Sequence, residues 1–318
     1  MTTTSLPSRP GAIGPISALT DRFDPRLLAA AGGLCIALSS VFIKESGTSG
    51  ATSAFWRCLF ALPLLAVLAR WERRRVGARP KIVLPLLAGG GLGLDFVLWG
   101  EAIPRVGAGI ATVLLAVQVI IVPALAFAFL AERPGRRFLL TAPVLLGGIV
   151  LAGGFIGTKA IGADPLTGAV AALVAGAGYA AYLLLIRLSS SPGTQVQTLL
   201  LATLSAGTVA VALGVPFHGL DLTPGWPALG WLACLAVVGQ LVGWLLIAAA
   251  LPRMTATLGA TLMLLQPIGA VLFGIVLLGE TPSALQLIGC AVVLAAVCFA
   301  GAGRRVSPEK ARFTPPRR

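Results

Sequence analysis

Charged residues are scarce in this chain. Only 11% of its 318 residues are charged, whereas 57% are hydrophobic and the mean hydropathy is +0.94. A soluble domain carries about 25% charged residues. These values therefore exclude a soluble enzyme, a disordered chain and a collagen-like fibre. They fit a chain in which most residues lie within a lipid bilayer.

Histidine and clustered cysteine are also nearly missing. His218 is the sole histidine and lies in a predicted loop. The five cysteines show no CxxC spacing and lie in apolar stretches: Cys35, Cys58, Cys234, Cys290 and Cys298. We interpret them as small core residues. A membrane-embedded enzyme or a metal site needs convergent polar ligands in the core, so we predict neither enzymatic activity nor a cofactor.

Long apolar runs fill most of the sequence. They cover residues 27–43, 51–69, 82–101, 106–131, 138–156, 167–186, 197–215, 229–250, 254–279 and 283–302. A membrane-spanning helix needs about 20 apolar residues, whereas a barrel strand needs about ten that alternate. The predicted fold class is therefore an all-α membrane protein with about ten transmembrane helices. Residues 1–26 are predicted to form a polar tail rather than a signal peptide, and residues 303–318 a basic tail.

The basic residues predict the orientation. With the N-terminus in the cytoplasm, twenty Lys and Arg residues fall on that side and three on the other. This is a strong positive-inside signal. It predicts a multi-pass inner-membrane protein with both termini in the cytoplasm. The net charge of +13 is accordingly assigned to topology and lipid headgroups, with the bilayer as partner and no nucleic acid bound.

An internal repeat appears when the chain is shifted by 148 residues. AIPRVGAGIATVLLAVQ (102–118) then falls on ALPRMTATLGATLMLLQ (250–266). The informative identities are Pro104/Pro252, Arg105/Arg253, Gln118/Gln266, Glu132/Glu280 and Pro134/Pro282. We predict two repeats of five helices each, 27–156 and 167–302.

Because five is odd, the second repeat must enter the membrane from the opposite face. Arg105 and Arg253 are equivalent in the repeat but fall on opposite sides of the predicted topology. Two inverted repeats are the architecture of secondary transporters, with the substrate site near the midplane. The alternative is a membrane scaffold or interaction protein that transports no substrate.

Several motifs resemble one family. They are Trp56-Arg57, the stretch from Asp95 to Arg105, and the paired LAERP (130–134) and LGETP (278–282). With these the chain resembles the drug/metabolite transporter superfamily and, more narrowly, EamA-type transporters. The resemblance implies a ten-helix inverted repeat that moves amino acids or other metabolites, usually outward.

Two glutamines are the first candidate substrate-binding residues. Gln118 and Gln266 each lie near the middle of an apolar run, close to Pro123 and Pro267. A proline frees a backbone carbonyl, and loosened backbone beside a buried amide suits a midplane site. The alternative is that each glutamine binds a neighbouring helix and only holds the bundle together.

Asp95 is the sharpest candidate. A charged residue inside a membrane helix costs about 2.5–3.5 kcal/mol and is usually paired or functional. Asp95 could pair with Arg57, bind a substrate ammonium group or a proton, or face an outer water cavity. The equivalent position in the second repeat is Gly243. The acid therefore occurs in one repeat only, as expected for a binding site formed mainly by that repeat.

Aromatic residues and one further amide complete the candidate binding set. They are Trp99, Tyr179, Gln240 and Trp244, with Phe96 and Tyr182 beside them. Aromatic walls with a few polar groups are typical of small-molecule pockets, although packing alone explains any single ring.

Two acidic residues and a small-residue row receive structural roles. Glu132 and Glu280 precede predicted helices, where a carboxylate is stabilised by the helix dipole. Gly168, Ala172, Gly176 and Ala180 form a row that lets the sixth helix pack closely.

The sequence thus predicts a secondary transporter of small organic metabolites, an exporter working by alternating access. With Arg57 as its single intramembrane base, it favours neutral or zwitterionic cargo such as amino acids over phosphate-bearing compounds. It shows no ATP-binding motif, so protons are a candidate coupling partner. A homodimer is left open.

Overall fold

The computed structural model describes residues 23–77, 80–132, 136–153, 164–189, 194–250, 254 and 262–301. This part of the chain is helical and contains no strand. The helices in chain order are α1 (Pro25–Ser46), α2 (Gly50–Val76), α3 (Val83–Val106), α4 (Ala108–Leu130), α5 (Arg136–Ala152), α6 (Pro165–Ser189), α7 (Gln195–Leu213), α8 (Trp226–Cys234, Leu235–Gly243 and Trp244–Ala250), α9 (Leu265–Leu278) and α10 (Ala284–Gly301). The prediction of an all-α fold is confirmed.

Most of the helices match the predicted membrane spans. α1, α2, α3, α4, α6, α7 and α8 are long and apolar enough to cross a bilayer, whereas α5, α9 and α10 contain apolar stretches of 10–17 residues. Much of the predicted run 254–279 before α9 lies outside the described residues, as do all of the tail 303–318 and most of the tail 1–26. The helices are those of a multi-pass membrane protein.

Polar side chains set the ends of α1 and α2. Asp24 accepts a hydrogen bond from the backbone N–H of Arg26 (2.8 Å) at the start of α1. Gly47 ends that helix with a φ of 62°, and Ser49 then caps α2 by accepting from the N–H of Thr52 at 3.1 Å. Such caps satisfy N–H groups that have no partner within the helix. A short turn of three residues, 47–49, joins α1 to α2.

Two buried glutamates cap helices that are distant in sequence. Glu72 of α2 accepts from the backbone N–H groups of Val196 and Gln197, at 3.1 and 3.0 Å, where α7 begins. Glu101 of α3 accepts from the N–H of Gly50 (2.7 Å), the first residue of α2. Carboxylates are stabilised at helix N-termini because unpaired N–H groups leave partial positive charge there. These contacts, which the sequence did not predict, connect α2 with α3 and α7.

Glycines let α3 and α6 approach with their backbones in contact. A Cβ built on Gly91 would lie 2.6 Å from the carbonyl oxygen of Gly178, and the reverse distance would be 2.7 Å. The small-residue row predicted on α6 is confirmed as a packing surface, because its Gly168 contacts α3 and its Gly176 contacts α4. The crossing of α3 and α6 therefore depends on the absence of side chains.

Gly91→Ala is expected to lower the free energy of unfolding by about 2 kcal/mol, because a methyl group overpacks the contact between α3 and α6. The measurement is thermal unfolding in detergent. Gly90→Ala is the matched control, since nothing lies within 4 Å of a Cβ built there. It should be neutral or stabilising, because alanine favours a helix over glycine. Equal melting temperatures for the two variants would contradict the close approach.

Helices that are equivalent in the predicted repeat run antiparallel where they touch. Between α5 and α10, Gly148 contacts Val293 and Gly289 contacts Ala152, so the residue order reverses. The pairs α2–α7 and α4–α9 show the same reversal through Ala51 with Gly214, Cys58 with Gly207, Gly107 with Glu280, and Gly109 with Val271. The first helix of each repeat also packs against the third and fourth helices of the other repeat. α1 packs on α8 and α9, and α6 packs on α3 and α4.

The cysteines do not all lie in the core. Cys58 and Cys290 are buried and Cys35 is half-buried, but Cys234 and Cys298 are exposed on the outside of the bundle. The predicted core position is wrong for these last two. The outward face of a membrane helix is as apolar as its inward face, so hydropathy does not separate them.

Candidate functional site

Arg57 forms the centre of a buried polar cluster. It lies about two turns into α2 and is only 4% exposed. Its Nη2 donates a hydrogen bond to Oε1 of Gln240 in α8 (3.0 Å), and its guanidinium carbon lies 3.9 Å from the ring centroid of Phe96 in α3. An arginine over an aromatic face gains cation–π attraction. Three helices therefore hold the guanidinium in one orientation. We call Arg57, Gln240, Phe96 and the neighbouring Asp95 the Arg57 cluster.

Asp95 is buried in the Arg57 cluster without a hydrogen bond. It is 4% exposed, and its Oδ1 has no partner in the structure. It forms no ion pair with Arg57 within 4.0 Å, which removes the direct Asp95–Arg57 pair from the alternatives that the sequence left open. Asp95 is the residue before Phe96, whose ring lies against the Arg57 guanidinium. A guanidinium group and a carboxyl group thus lie in the same cluster, each able to bind a further group.

Unpartnered polar atoms are concentrated in the helix interiors. The buried side-chain atoms without a hydrogen-bond partner are Ser39 Oγ, Arg57 Nε and Nη1, Asp95 Oδ1, Trp99 Nε1, Gln118 Oε1, Thr198 Oγ1 and Thr203 Oγ1. Buried polar groups are normally paired, and each exception requires a water, an ion or a ligand. These atoms therefore mark positions where a bound polar ligand or a water molecule would be stabilised.

The helix backbone is irregular beside two candidate residues. α4 tightens into a 3₁₀ turn at Leu115–Val117, immediately before Gln118. α8 widens into a π-helical stretch, Leu235–Gly243, which contains Gln240. Irregular turns of this kind often occur at functional sites. Loosened backbone was expected next to the prolines. The helix is interrupted at Leu264, three residues before Pro267, as expected, whereas α4 is irregular just before Gln118 and not at Pro123.

Pro123 lies inside a regular helix, whereas Pro267 lies just after a break. α4 continues through Pro123 from Gln118 to Leu130. Pro267 is the third residue of α9, in its first turn, where a missing N–H group costs little.

Gln118 and Gln266 lie apart from the Arg57 cluster. Both are half-buried, and no hydrogen bond connects either of them to the cluster within the described residues. Gln118 retains a buried Oε1 without a partner. Gln266 follows the first residue of α9, and its backbone packs near Gly33 of α1.

The predicted aromatic residues occupy two parts of the bundle. Tyr179 and Tyr182 stack on each other with ring centroids 5.7 Å apart, and both pack in an apolar cluster that contains Phe96. Trp99 is 6% exposed and packs in a second apolar cluster, which includes Ile103 and Leu232, and Trp244 is half-buried in α8. The tyrosines therefore extend the Arg57 cluster towards α6.

Sequence analysis overlooked three hydroxyl groups. Ser39 lies in the middle of α1 against Gly239, the residue before Gln240. Thr198 and Thr203 are buried in α7. Hydroxyl residues in the middle of apolar runs were the available signal, and the adjacent Ser39 and Ser40 show it most clearly.

Glu132 and Glu280 form ion pairs at the ends of helices. Glu280 Oε1 accepts from Lys44 Nζ (2.7 Å) and from the backbone N–H of Ala108 (2.8 Å). It therefore stabilises the N-terminus of α4 rather than that of the following helix α10, where it was predicted to act. Glu132 binds Arg187 through both carboxylate oxygens, at 2.8 and 3.1 Å. Pro134 lies outside the described residues.

An apolar groove lies elsewhere, between α4, α5 and α6. It is lined by aliphatic side chains that include Ile121, Val150 and Val174, and by none of the predicted site residues. Within the described residues, no three His, Cys, Asp or Glu side chains group as metal ligands.

Comparisons with known proteins support the fold and the family. The model of the EamA-like transporter family matches residues 26–154 and again 166–302. A solved structure entitled "Crystal structure of protein" has 17% sequence identity and a TM-score of 0.58, and the match covers 87% of this chain and 97% of that chain. At this identity the likeness concerns the fold alone. No curated protein matches the chain.

The family match covers most of the sequence and occurs twice, as the internal repeat predicts. The resemblance to the drug/metabolite transporter superfamily is thereby confirmed. The chain is a multi-pass membrane protein that belongs to the EamA-like transporter family.

Proposed function

We propose that this protein is a secondary transporter that exports small organic zwitterions, such as amino acids, across the inner membrane. Membership of the EamA-like family supports transport of small molecules in general. The zwitterionic cargo, the outward direction and the membrane are our extensions of that statement. Outward transport is supported by the family resemblance, and the inner membrane by the excess of basic residues on one side.

Alternating access is supported by the relation between the repeats. The contacting pairs α2–α7, α4–α9 and α5–α10 each run antiparallel. If each repeat crosses the bilayer five times, the two repeats are inverted and both termini lie in the cytoplasm. Rocking of one repeat against the other would then expose a shared site to each side in turn.

The observation that supports the cargo most directly is the unsatisfied charge in the Arg57 cluster. Burying an unpaired ion costs several kcal/mol. Arg57 nevertheless leaves Nε and Nη1 without partners, and Asp95 leaves Oδ1 without one. A bound carboxylate would satisfy the guanidinium, and a bound ammonium group would satisfy the aspartate. Both groups together define an amino acid or a compound of similar charge.

The competing scaffold function receives less support. A scaffold with no cargo would hydrogen-bond its midplane amides to neighbouring helices. The buried Oε1 of Gln118 has no such partner in the structure. A phosphate-bearing cargo would need several bases, and Arg57 is the one arginine buried in the described residues.

The proposal is tested by counterflow in proteoliposomes. We expect vesicles loaded with an unlabelled amino acid to accumulate the labelled compound, relative to empty vesicles. The amide of the same amino acid lacks the carboxylate, and the deaminated acid lacks the ammonium group. Each should compete at least tenfold more weakly, since a lost charge-assisted bond is worth about 1.5–3 kcal/mol. Equal competition by all three compounds, or no exchange of any amino acid, would contradict the proposal.

A further inference from the structure

Two ion pairs join the repeats in equivalent ways. Lys44 is the third residue from the end of α1, and Arg187 is the third from the end of α6. Glu280 follows α9, and Glu132 is its counterpart after α4. Lys44 binds Glu280, and Arg187 binds Glu132. Each pair therefore connects the first helix of one repeat to the residue after the fourth helix of the other.

The two pairs lie at opposite ends of the bundle. α4 and α9 run antiparallel, so the carboxylates that follow them cannot share one end. In the proposed topology Lys44–Glu280 is outside and Arg187–Glu132 is inside. We call them the outer latch and the inner latch.

The outer latch is closed tightly. The side chain of Glu280 is 3% exposed and that of Lys44 is 32% exposed. Glu280 also binds the N–H of Ala108, and it fills a space left by two glycines. A Cβ on Gly274 would lie 2.5 Å from its Oε2, and one on Gly107 would lie 3.0 Å away.

The inner latch is formed as well, but it is exposed to solvent. The side chains of Arg187 and Glu132 are 56% and 45% exposed. Ala126 stands at the repeat position of Gly274, so the space that receives Glu280 has no identical counterpart for Glu132. Exposed ion pairs contribute little because solvent screens them, whereas partly buried ones contribute more.

We infer that these two ion pairs are reciprocal latches, and that opening one end of the transporter breaks one pair while the other becomes buried. The inference rests on the proposed alternating access. A contact can bias two conformations only if it differs between them, and the two equivalent latches differ in burial in this single structure. Because both pairs are formed here, the structure is then closed at both ends, and more tightly at the outer end.

Hydrogen–deuterium exchange of the full-length protein in nanodiscs tests the inference. Lys44→Gln breaks the outer latch but leaves the bond from Ala108 to Glu280. We expect backbone N–H groups around Ala108 and Glu280 to exchange about fivefold faster, the change that ~1 kcal/mol of lost attraction makes in a population ratio. Residues around Glu132 and Arg187 should exchange more slowly, because the inner end closes in the other state. Lys44→Arg should restore the wild-type pattern.

Arg105→Gln is the matched control. Arg105 also pairs with a glutamate at the outer end, but its partner Glu101 lies on the same helix. Its loss should leave exchange around Glu280 unchanged. Faster exchange at the outer end without slower exchange at the inner end would show that the variant only loosens the outer end locally. That result would overturn the inference. So would no change in Lys44→Gln.

These outcomes are separable from the transport proposal. Suppose that Lys44→Gln speeds hydrogen–deuterium exchange at the outer end and slows it at the inner end, but the protein transports no amino acid. That result would refute the proposed function and support the latches. Amino-acid counterflow with unchanged exchange in Lys44→Gln would refute the latches and keep the function.

Discussion

Arg57→Gln is expected to lower the kcat/KM of amino-acid transport by about 100-fold, since a hydrogen bond to a charged group is worth up to about 3 kcal/mol. In the structure Nη2 is held by Gln240, while Nε and Nη1 have no partner. The free N–H groups are the ones that would bind a carboxylate. The measurement is the initial rate of counterflow over a range of substrate concentrations.

Thermal stability separates this binding role from a structural one. Removing a buried guanidinium that has no ion-pair partner relieves a desolvation cost, which offsets the lost contacts with Gln240 and Phe96. Arg57→Gln should therefore melt close to the wild-type temperature. Arg57→Lys keeps the charge but loses the planar donor pair, and should show an intermediate rate. Substantial transport by Arg57→Gln, combined with a much lower melting temperature, would show that Arg57 stabilises the bundle instead.

The positions of the helices could be predicted because membrane insertion leaves a strong one-dimensional signal. Apolar runs of sufficient length correspond to helices in the structure. The repeat could also be predicted, because rare residues such as Gln118, Glu132 and their counterparts coincide at one offset. Both inferences need only distances along the chain.

The composition of the site was harder to predict, because sequence gives the depth of a residue but not its rotation around the helix. Gln118 and Gln266 have central depth, yet the structure brings Gln240 to Arg57 instead. That contact spans 183 residues and lies in a π-helical stretch. Packing of α2 against α8 decides it, and no local pattern encodes such packing.

Glu280 shows the same limit at the end of a helix. The preference of a carboxylate for a helix N-terminus was recognised correctly, but the wrong helix was chosen. The nearest N-terminus in sequence is that of α10, whereas the actual partner, Ala108, is 172 residues away. The electrostatic rule is local in space, so its partner follows only from the tertiary fold.

Asp95→Asn is expected to abolish pH-driven transport and to lower the rate at every pH by about 100-fold, as loss of a bond to a charged group of ~3 kcal/mol predicts. Asp95 is buried in the Arg57 cluster, and its Oδ1 has no hydrogen-bond partner. Asparagine has the same shape but can neither bind a proton nor hold an ammonium group by charge. The measurement is counterflow and proton-driven uptake between pH 5.5 and about 8, the range in which a transporter coupled to protons would change rate.

Glu101→Gln is the matched control for that variant. Glu101 is also buried in α3, but its oxygens already bind Gly50 and Arg105. Its replacement should lower the melting temperature and leave the pH profile unchanged. Asp95→Asn should change the pH profile without lowering the melting temperature, because the unpartnered Oδ1 of Asp95 makes no bond that the variant could lose. Since Gly243 occupies the equivalent position in the second repeat, no second acid can substitute for Asp95. Pumping by Asp95→Asn with an unaltered pH profile would exclude this residue from coupling, and the cargo's ammonium group would then need another partner.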